Sequence, residues 1–137
     1  MHNQLSDGMS KDLVGAAAST INAYFLQGEA APLGAVLKLY PTHYDLYRDL
    51  AAGRLDVIAT DRVLVSQWLD TTAGSCCEIK EIIDDEKYSR YFGDGGGIAL
   101  RKGDDRLLAM FNGALALIKE NGEYKRINEK YFPFSIE

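Results

Sequence analysis

An acidic residue closes a short apolar run in Leu55-Asp56-Val57-Ile58-Ala59-Thr60-Asp61. Upstream, Asp49-Leu50-Ala51-Ala52-Gly53-Arg54 reads as a helix end with a glycine stop. The run itself therefore reads as a buried strand with Asp61 at its carboxyl end. In open α/β sheets that is the edge where ligands bind. A carboxylate there suits a cationic group, through a charge-assisted hydrogen bond that a desolvated cleft strengthens. Asp61 is equally placed to cap the helix that follows. A second polar set, Ser19-Thr20-Ile21-Asn22, opens another helix. Its hydroxyls and leftover backbone N–H groups could cradle a carboxylate or serve as plain caps.

Other chemistry finds little support. His2 and His43 stand apart from any cysteine or carboxylate pattern suited to a metal, and no Ser/His/Asp or Cys/His arrangement is evident. Asp84-Asp85-Glu86 reads as a solvated run rather than a catalytic pair. Gly93-Asp94-Gly95-Gly96-Gly97 lacks the preceding strand and following helix of a dinucleotide fingerprint. Neither an enzyme nor a cofactor is expected. The two cysteines are adjacent, Cys76-Cys77, a spacing unlike structural zinc. They read as two thiols in a loop or a vicinal disulfide, and no long-range intrachain staple can form.

The elements that must position these residues alternate along the chain. Helices are predicted at Ile21–Gln27, at Pro41-Thr42 through about Ala52, and at Asp61–Leu69. Tyr44, Tyr47, Leu50 and Ala51 would form one face of the second, and Val63, Leu64, Gln67 and Trp68 follow a helical pattern in the third. Strands are predicted at Ala35–Leu39, Leu55–Thr60, Glu78–Ile83 and Ile98–Lys102, with Asp84–Tyr91 a loop or exposed turn. Two further helices follow, Asp104–Glu120 with Leu107, Leu108, Phe111, Leu115 and Ile118 on its apolar face, and Glu123–Tyr131. Alternating strands and helices define an α/β fold with a mostly parallel sheet.

At 137 residues the chain fits one domain and can bury a core. Fifteen Lys plus Arg against twenty Asp plus Glu leave a net charge of −5, which argues against a nucleic-acid or membrane-surface partner. No apolar run is long enough to span a bilayer, so membrane insertion is not expected. Residues 1–10 read as a flexible N-terminal tail, without the basic and apolar regions of a signal peptide.

Several motifs, in order, resemble the amino-acid-binding proteins of ABC importers, in the branch for lysine/arginine/ornithine and histidine. Lys11-Asp12-Leu13-Val14-Gly15 resembles the opening of that family's second lobe, and Asp49 to Asp56 with Asp61 its strand-and-carboxylate motif. Gly97-Ile98-Ala99-Leu100-Arg101-Lys102-Gly103-Asp104 resembles the return strand through its hinge. Ala114-Leu115 to Asn121-Gly122-Glu123-Tyr124, then Lys130-Tyr131-Phe132, resembles its C-terminal helix pair.

The resemblance implies a type II periplasmic-binding-protein-like single lobe over residues 11–137, including C-terminal helices at 104–132. It implies non-enzymatic binding of a small polar or cationic amino acid. Asp61 would take the α-ammonium and the loop of Ser19, Thr20 and Asn22 the α-carboxylate, although Ile21 departs from the family pattern. The part that would build the first lobe is absent before Lys11. The apolar stripe of the C-terminal helices would then lose its usual cover, so a homodimer through those helices is expected. A single lobe cannot signal closure by bending about a hinge, so coupling to an ABC permease is not expected. The alternative reading is an orphan lobe that has lost its ligand and acts as an oligomerisation or interaction module; a third is a fragment of a longer product. The family implies the periplasm, while the visible N-terminus leaves the cytoplasm open.

Overall fold

The computed structural model describes residues 11–93 and 95–136, so the tail expected at 1–10 lies outside the described residues. Two compact units divide at residues 94 and 95, inside the glycine-rich run. The first is α/β. Three strands, β1 (Leu13–Ala17), β2 (Val36–Tyr40) and β3 (Val57–Ile58), form a parallel sheet in the order β2-β1-β3. Gly15 of β1 pairs with Lys38 of β2 and Ile58 of β3. Each strand runs into a helix: α1 (Ile21–Phe25), α2 (His43–Ala51) and α3 (Arg62–Leu69). Thr20, Thr42 and Asp61 cap them, each side-chain oxygen accepting a backbone N–H of the first turn.

Strand β1 is covered on both faces, which explains its small and apolar residues. Val14 and Ala16 point one way, into a core with Ala23, Phe25, Leu26, Ala30 and Tyr88. Gly15 faces the other, where Tyr40, Leu46, Tyr47 and Leu55 are buried and Leu50, Ile58, Val65 and Trp68 pack around them. A Cβ on Gly15 would sit 2.6 Å from Leu55 Cδ1 and 2.7 Å from Leu46 Cδ1, so even alanine there would make those two leucine side chains shift.

Helix α1 does not stop at Gln27. It widens into a π turn over Leu26–Ala30, tightens to a 3₁₀ turn over Ala31–Leu33, and ends at Gly34 with φ +97°. Phe25, fully buried, meets Tyr88 and Tyr91 edge-on at centroid distances of 5.1 and 5.6 Å and Phe92 at 5.2 Å. These rings come from a 3₁₀ turn at Glu86–Tyr88 and from α4 (Ser89–Phe92), where loop was expected. The stretch is an anchor as well as a solvated run: Asp84, Asp85 and Glu86 are exposed, yet Tyr88 is buried.

Four further expectations need correction. No strand forms at 78–83 or 98–102 among the described residues: the sheet holds β1, β2 and β3, and neither segment makes the ladder bonds that define a strand. Ile79 and Ile82 are exposed, and only Ile83 of that apolar set packs on the core. Tyr44 is 74% exposed, so the buried face of α2 is Leu46, Tyr47 and Asp49 instead. On α3, Leu64 and Gln67 face solvent, and Val65 joins Trp68 against the sheet. The predicted strand at Leu55–Thr60 shortens to Val57–Ile58. Of the two readings of Cys76 and Cys77, the structure shows the pair joined as a disulfide.

Asp49 is the buried charged residue among those described, 6% exposed. Its Oδ1 accepts from Arg54 Nε at 3.0 Å, and its Oδ2 from Lys38 Nζ at 2.9 Å and Tyr40 Oη at 2.7 Å. The motif Asp49 to Arg54 is therefore a folding device. Gly53, at φ +67°, turns the chain back so that Arg54 meets the carboxylate from α2. Arg54, then Lys38 and Tyr40, hold the Asp49 carboxyl well below the usual carboxylate range. Because the folded value lies below the unfolded value near 4, this pairing stabilises the fold above about pH 4 and is lost as pH falls through the folded value. Asp49→Asn should lower the thermal midpoint at neutral pH by about 5–10 °C, a gap that narrows in acid. Calorimetric melts at pH 7 and pH 3 measure both effects.

The second unit is a helical hairpin, α5 (Asp105–Glu120) and α6 (Glu123–Tyr131). Asp104 caps α5, and Gly122, at φ +79°, makes the turn. Asn128 ties down the C-terminal segment, donating to Phe134 O at 2.7 Å and accepting from Ile136 N–H at 3.0 Å. No residue of either helix is buried, and Leu107, Leu108, Phe111, Ile127 and Tyr131 are exposed.

Candidate functional site

The carboxyl edge of the sheet gathers the polar residues singled out in the sequence. β1 and β3 are adjacent and parallel, with Ala59 N–H bonded to Gly15 O at 2.9 Å. The last ladder pair is Gly15 with Ile58; continuing its offset two and three residues sets Thr60 level with Ala17 and Asp61 level with Ala18. The Ser19-Thr20 turn thus leaves one strand where Asp61 leaves its neighbour. On the other side of β1, Ala18 N–H bonds to Tyr40 O at 2.7 Å, and Thr42 opens α2 beyond it. Three helix N-termini therefore start along one edge, each carrying partial positive charge.

Asp61 and Thr20 each perform the capping task that the sequence offered as one of two readings. Asp61 caps α3: its Oδ1 accepts from Val63 N–H at 2.8 Å and Leu64 N–H at 3.0 Å, and its Oδ2 takes neither bond. The carboxylate is exposed. Thr20 also caps, its Oγ1 accepting from Ala23 N–H at 3.2 Å and donating to Ala17 O at 2.7 Å. That arrangement fixes the loop and leaves the first N–H groups of α1, at Ile21 and Asn22, as the orphan donors of a helix start. Ser19 is exposed with φ +59°, a left-handed conformation uncommon outside glycine. Asn22 is half-buried. The capping reading of Asp61 and Thr20 is what the structure shows, and it leaves a carboxylate at one strand end and helix-start N–H groups at the next.

Beneath the edge sits a pair that sequence reasoning passed over. Tyr47, 9% exposed, shares a hydrogen bond with Thr60 Oγ1 at 3.1 Å, and its ring stacks on Trp68 at 4.8 Å with 21° between planes. Burial pushes the Tyr47 phenol up, the Thr60 bond draws it down, and the charge of Asp61 raises it further. Helical periodicity had marked Tyr47 as an apolar-face residue; nothing in the spacing shows where its hydroxyl goes.

The described residues contain no group of three or more His, Cys, Asp or Glu side chains able to hold a metal. Two grooves lie elsewhere, both within the C-terminal unit. One, of about 420 Å³, is lined by Tyr124, Asn128, Phe132 and Phe134 among others, and a second, of about 250 Å³, by Ile98, Leu100 and Leu108 among others. Neither includes the strand-end residues.

A parallel sheet with helix caps along its carboxyl edge defines an α/β lobe, the architecture in which that edge is the usual place for a ligand. The chain belongs to the bacterial extracellular solute-binding proteins, family 3, whose pattern it matches over residues 8–134. It is 38% identical over 121 residues to the L-arginine-binding protein of Pseudomonas aeruginosa, covering 86% of this chain and 45% of that protein. It is 41% identical over 92 residues to the lysine/arginine/ornithine-binding periplasmic protein of Escherichia coli, covering 66% and 35%. A solved periplasmic binding protein of Salmonella typhimurium, described for its high arginine specificity, superposes with a TM-score of 0.68 at 27% identity over 93% of this chain and 54% of its own. The chain thus spans about half the length of such relatives, and no described helix is long and apolar enough to cross a membrane. The expected family and α/β lobe are both found. The family is one of solute-binding proteins rather than enzymes.

Proposed function

We propose that the carboxyl edge of the sheet binds the head group of a free amino acid without chemical change. Asp61 faces the α-ammonium, and the loop of Ser19, Thr20 and Asn22 faces the α-carboxylate. The observation that carries this reading is the placement of the two sets on adjacent parallel strand ends. A zwitterion bridges them with a charge-assisted bond on one side and helix-start donors on the other. The names of the relatives favour a cationic side chain, arginine first, and the name of one, a periplasmic protein, supports the same compartment for this chain. Calorimetric titration with arginine, lysine, histidine and glutamine tests the reading. Saturable heat with arginine supports it; silence with all four at millimolar concentration overturns it.

The second unit favours a further role. A hairpin with no buried residue is unfavourable on its own, since each large apolar side chain gains about 1.5–3 kcal/mol when covered. The exposed Leu107, Leu108 and Phe111 of α5, with Ile127 and Tyr131 of α6, supply such a surface. On this reading two copies pair through α5 and α6. Light scattering at tens of micromolar should give a dimer mass, and a monomer would defeat it.

A further inference from the structure

We infer that Tyr47 is a positioning residue for the strand end that carries Asp61, and that Trp68, stacked on it, reports the site's occupancy. The inference rests on the amino-acid-binding reading above. β3 holds only Val57–Ile58 in its ladder, so Ala59, Thr60 and Asp61 continue past the last paired residue. Beyond the Ala59 N–H bond to Gly15 O, two devices fix this end. One is the cap that Asp61 makes on α3. The other is the hydrogen bond from Thr60 to Tyr47, whose ring is set by burial and by Trp68. Removing the hydroxyl of Tyr47 takes away the second device and leaves the ring, its stack and the cap in place. The carboxylate then samples more positions, and a ligand must order it on binding. Trp68 is the one tryptophan of the chain. Its emission therefore reads the far end of the contact chain Asp61–Thr60–Tyr47–Trp68 without a label.

The test is fluorescence titration of the 137-residue chain with L-arginine, alongside Tyr47→Phe, Thr60→Val, Thr60→Ser and Asp61→Asn. The wild type should show a saturable change in tryptophan emission. Tyr47→Phe and Thr60→Val should each weaken arginine by about three- to tenfold, the scale of one hydrogen bond, with melting curves close to wild type. Thr60→Ser should restore wild-type affinity, which a general packing defect would not allow. Wild-type affinity in Tyr47→Phe and Thr60→Val, with binding lost in Asp61→Asn, would overturn the positioning role and leave the binding reading intact. Calorimetric silence of the wild type would overturn both.

Discussion

Replacing Asp61 by asparagine is expected to weaken arginine binding by about 10- to 100-fold, the range of a hydrogen bond to a charged group, while the fold stays intact. Asparagine caps a helix as well as aspartate does, so the bonds to Val63 and Leu64 N–H survive and only the charge is lost. Asp61→Ala separates the two roles from the other side. It removes the cap as well, at a cost of about 0.5–2 kcal/mol, so its thermal midpoint should drop where that of Asp61→Asn does not. Titration calorimetry beside thermal melts gives both numbers. Equal arginine affinity in wild type and Asp61→Asn would reduce Asp61 to a cap.

The largest stability effect is expected at Phe25. Its ring is fully buried and bounded by Tyr88, Tyr91 and Phe92, so it ties the segment at 86–92 to the sheet face that β1 presents. Phe25→Ala should cost about 3–5 kcal/mol through lost transfer energy and the cavity left behind. That approaches the total stability of a small domain. Urea denaturation should show a transition shifted to much lower urea, or a chain unfolded in buffer. Phe25→Leu keeps most of the volume and should cost far less. A midpoint for Phe25→Ala near wild type would mean that the aromatic cluster is not part of the core.

Much of this architecture is legible in the residues. Thr20, Thr42 and Asp61 mark three helix starts, and Gly53 and Gly122 mark stops, because caps and left-handed turns demand those residue types. The acidic strand end was legible for the same reason: a carboxylate after an apolar run is unusual unless it caps or binds. The central strand β1 is missing from the strands that the sequence predicts. Gly15-Ala16-Ala17 has weak strand propensity, and its smallness makes sense only once Leu46 and Leu55 are seen against Gly15. The strands expected at 78–83 and 98–102 failed because a short apolar run says nothing about whether an edge is available to pair with. The Asp49–Arg54 and Tyr47–Thr60 contacts were invisible for another reason. Side-chain partners across 5 and 13 residues depend on how α2 lies on the sheet, which periodicity does not specify.

Chemical-shift mapping of the ¹⁵N-labelled chain during titration with L-arginine tests the strand-end site most directly. Saturable shifts at the amides of Thr20, Asn22, Thr60 and Asp61 are expected, with the C-terminal hairpin unchanged. Shifts confined to the groove between Tyr124 and Ser135, or no shifts at millimolar arginine, would contradict it.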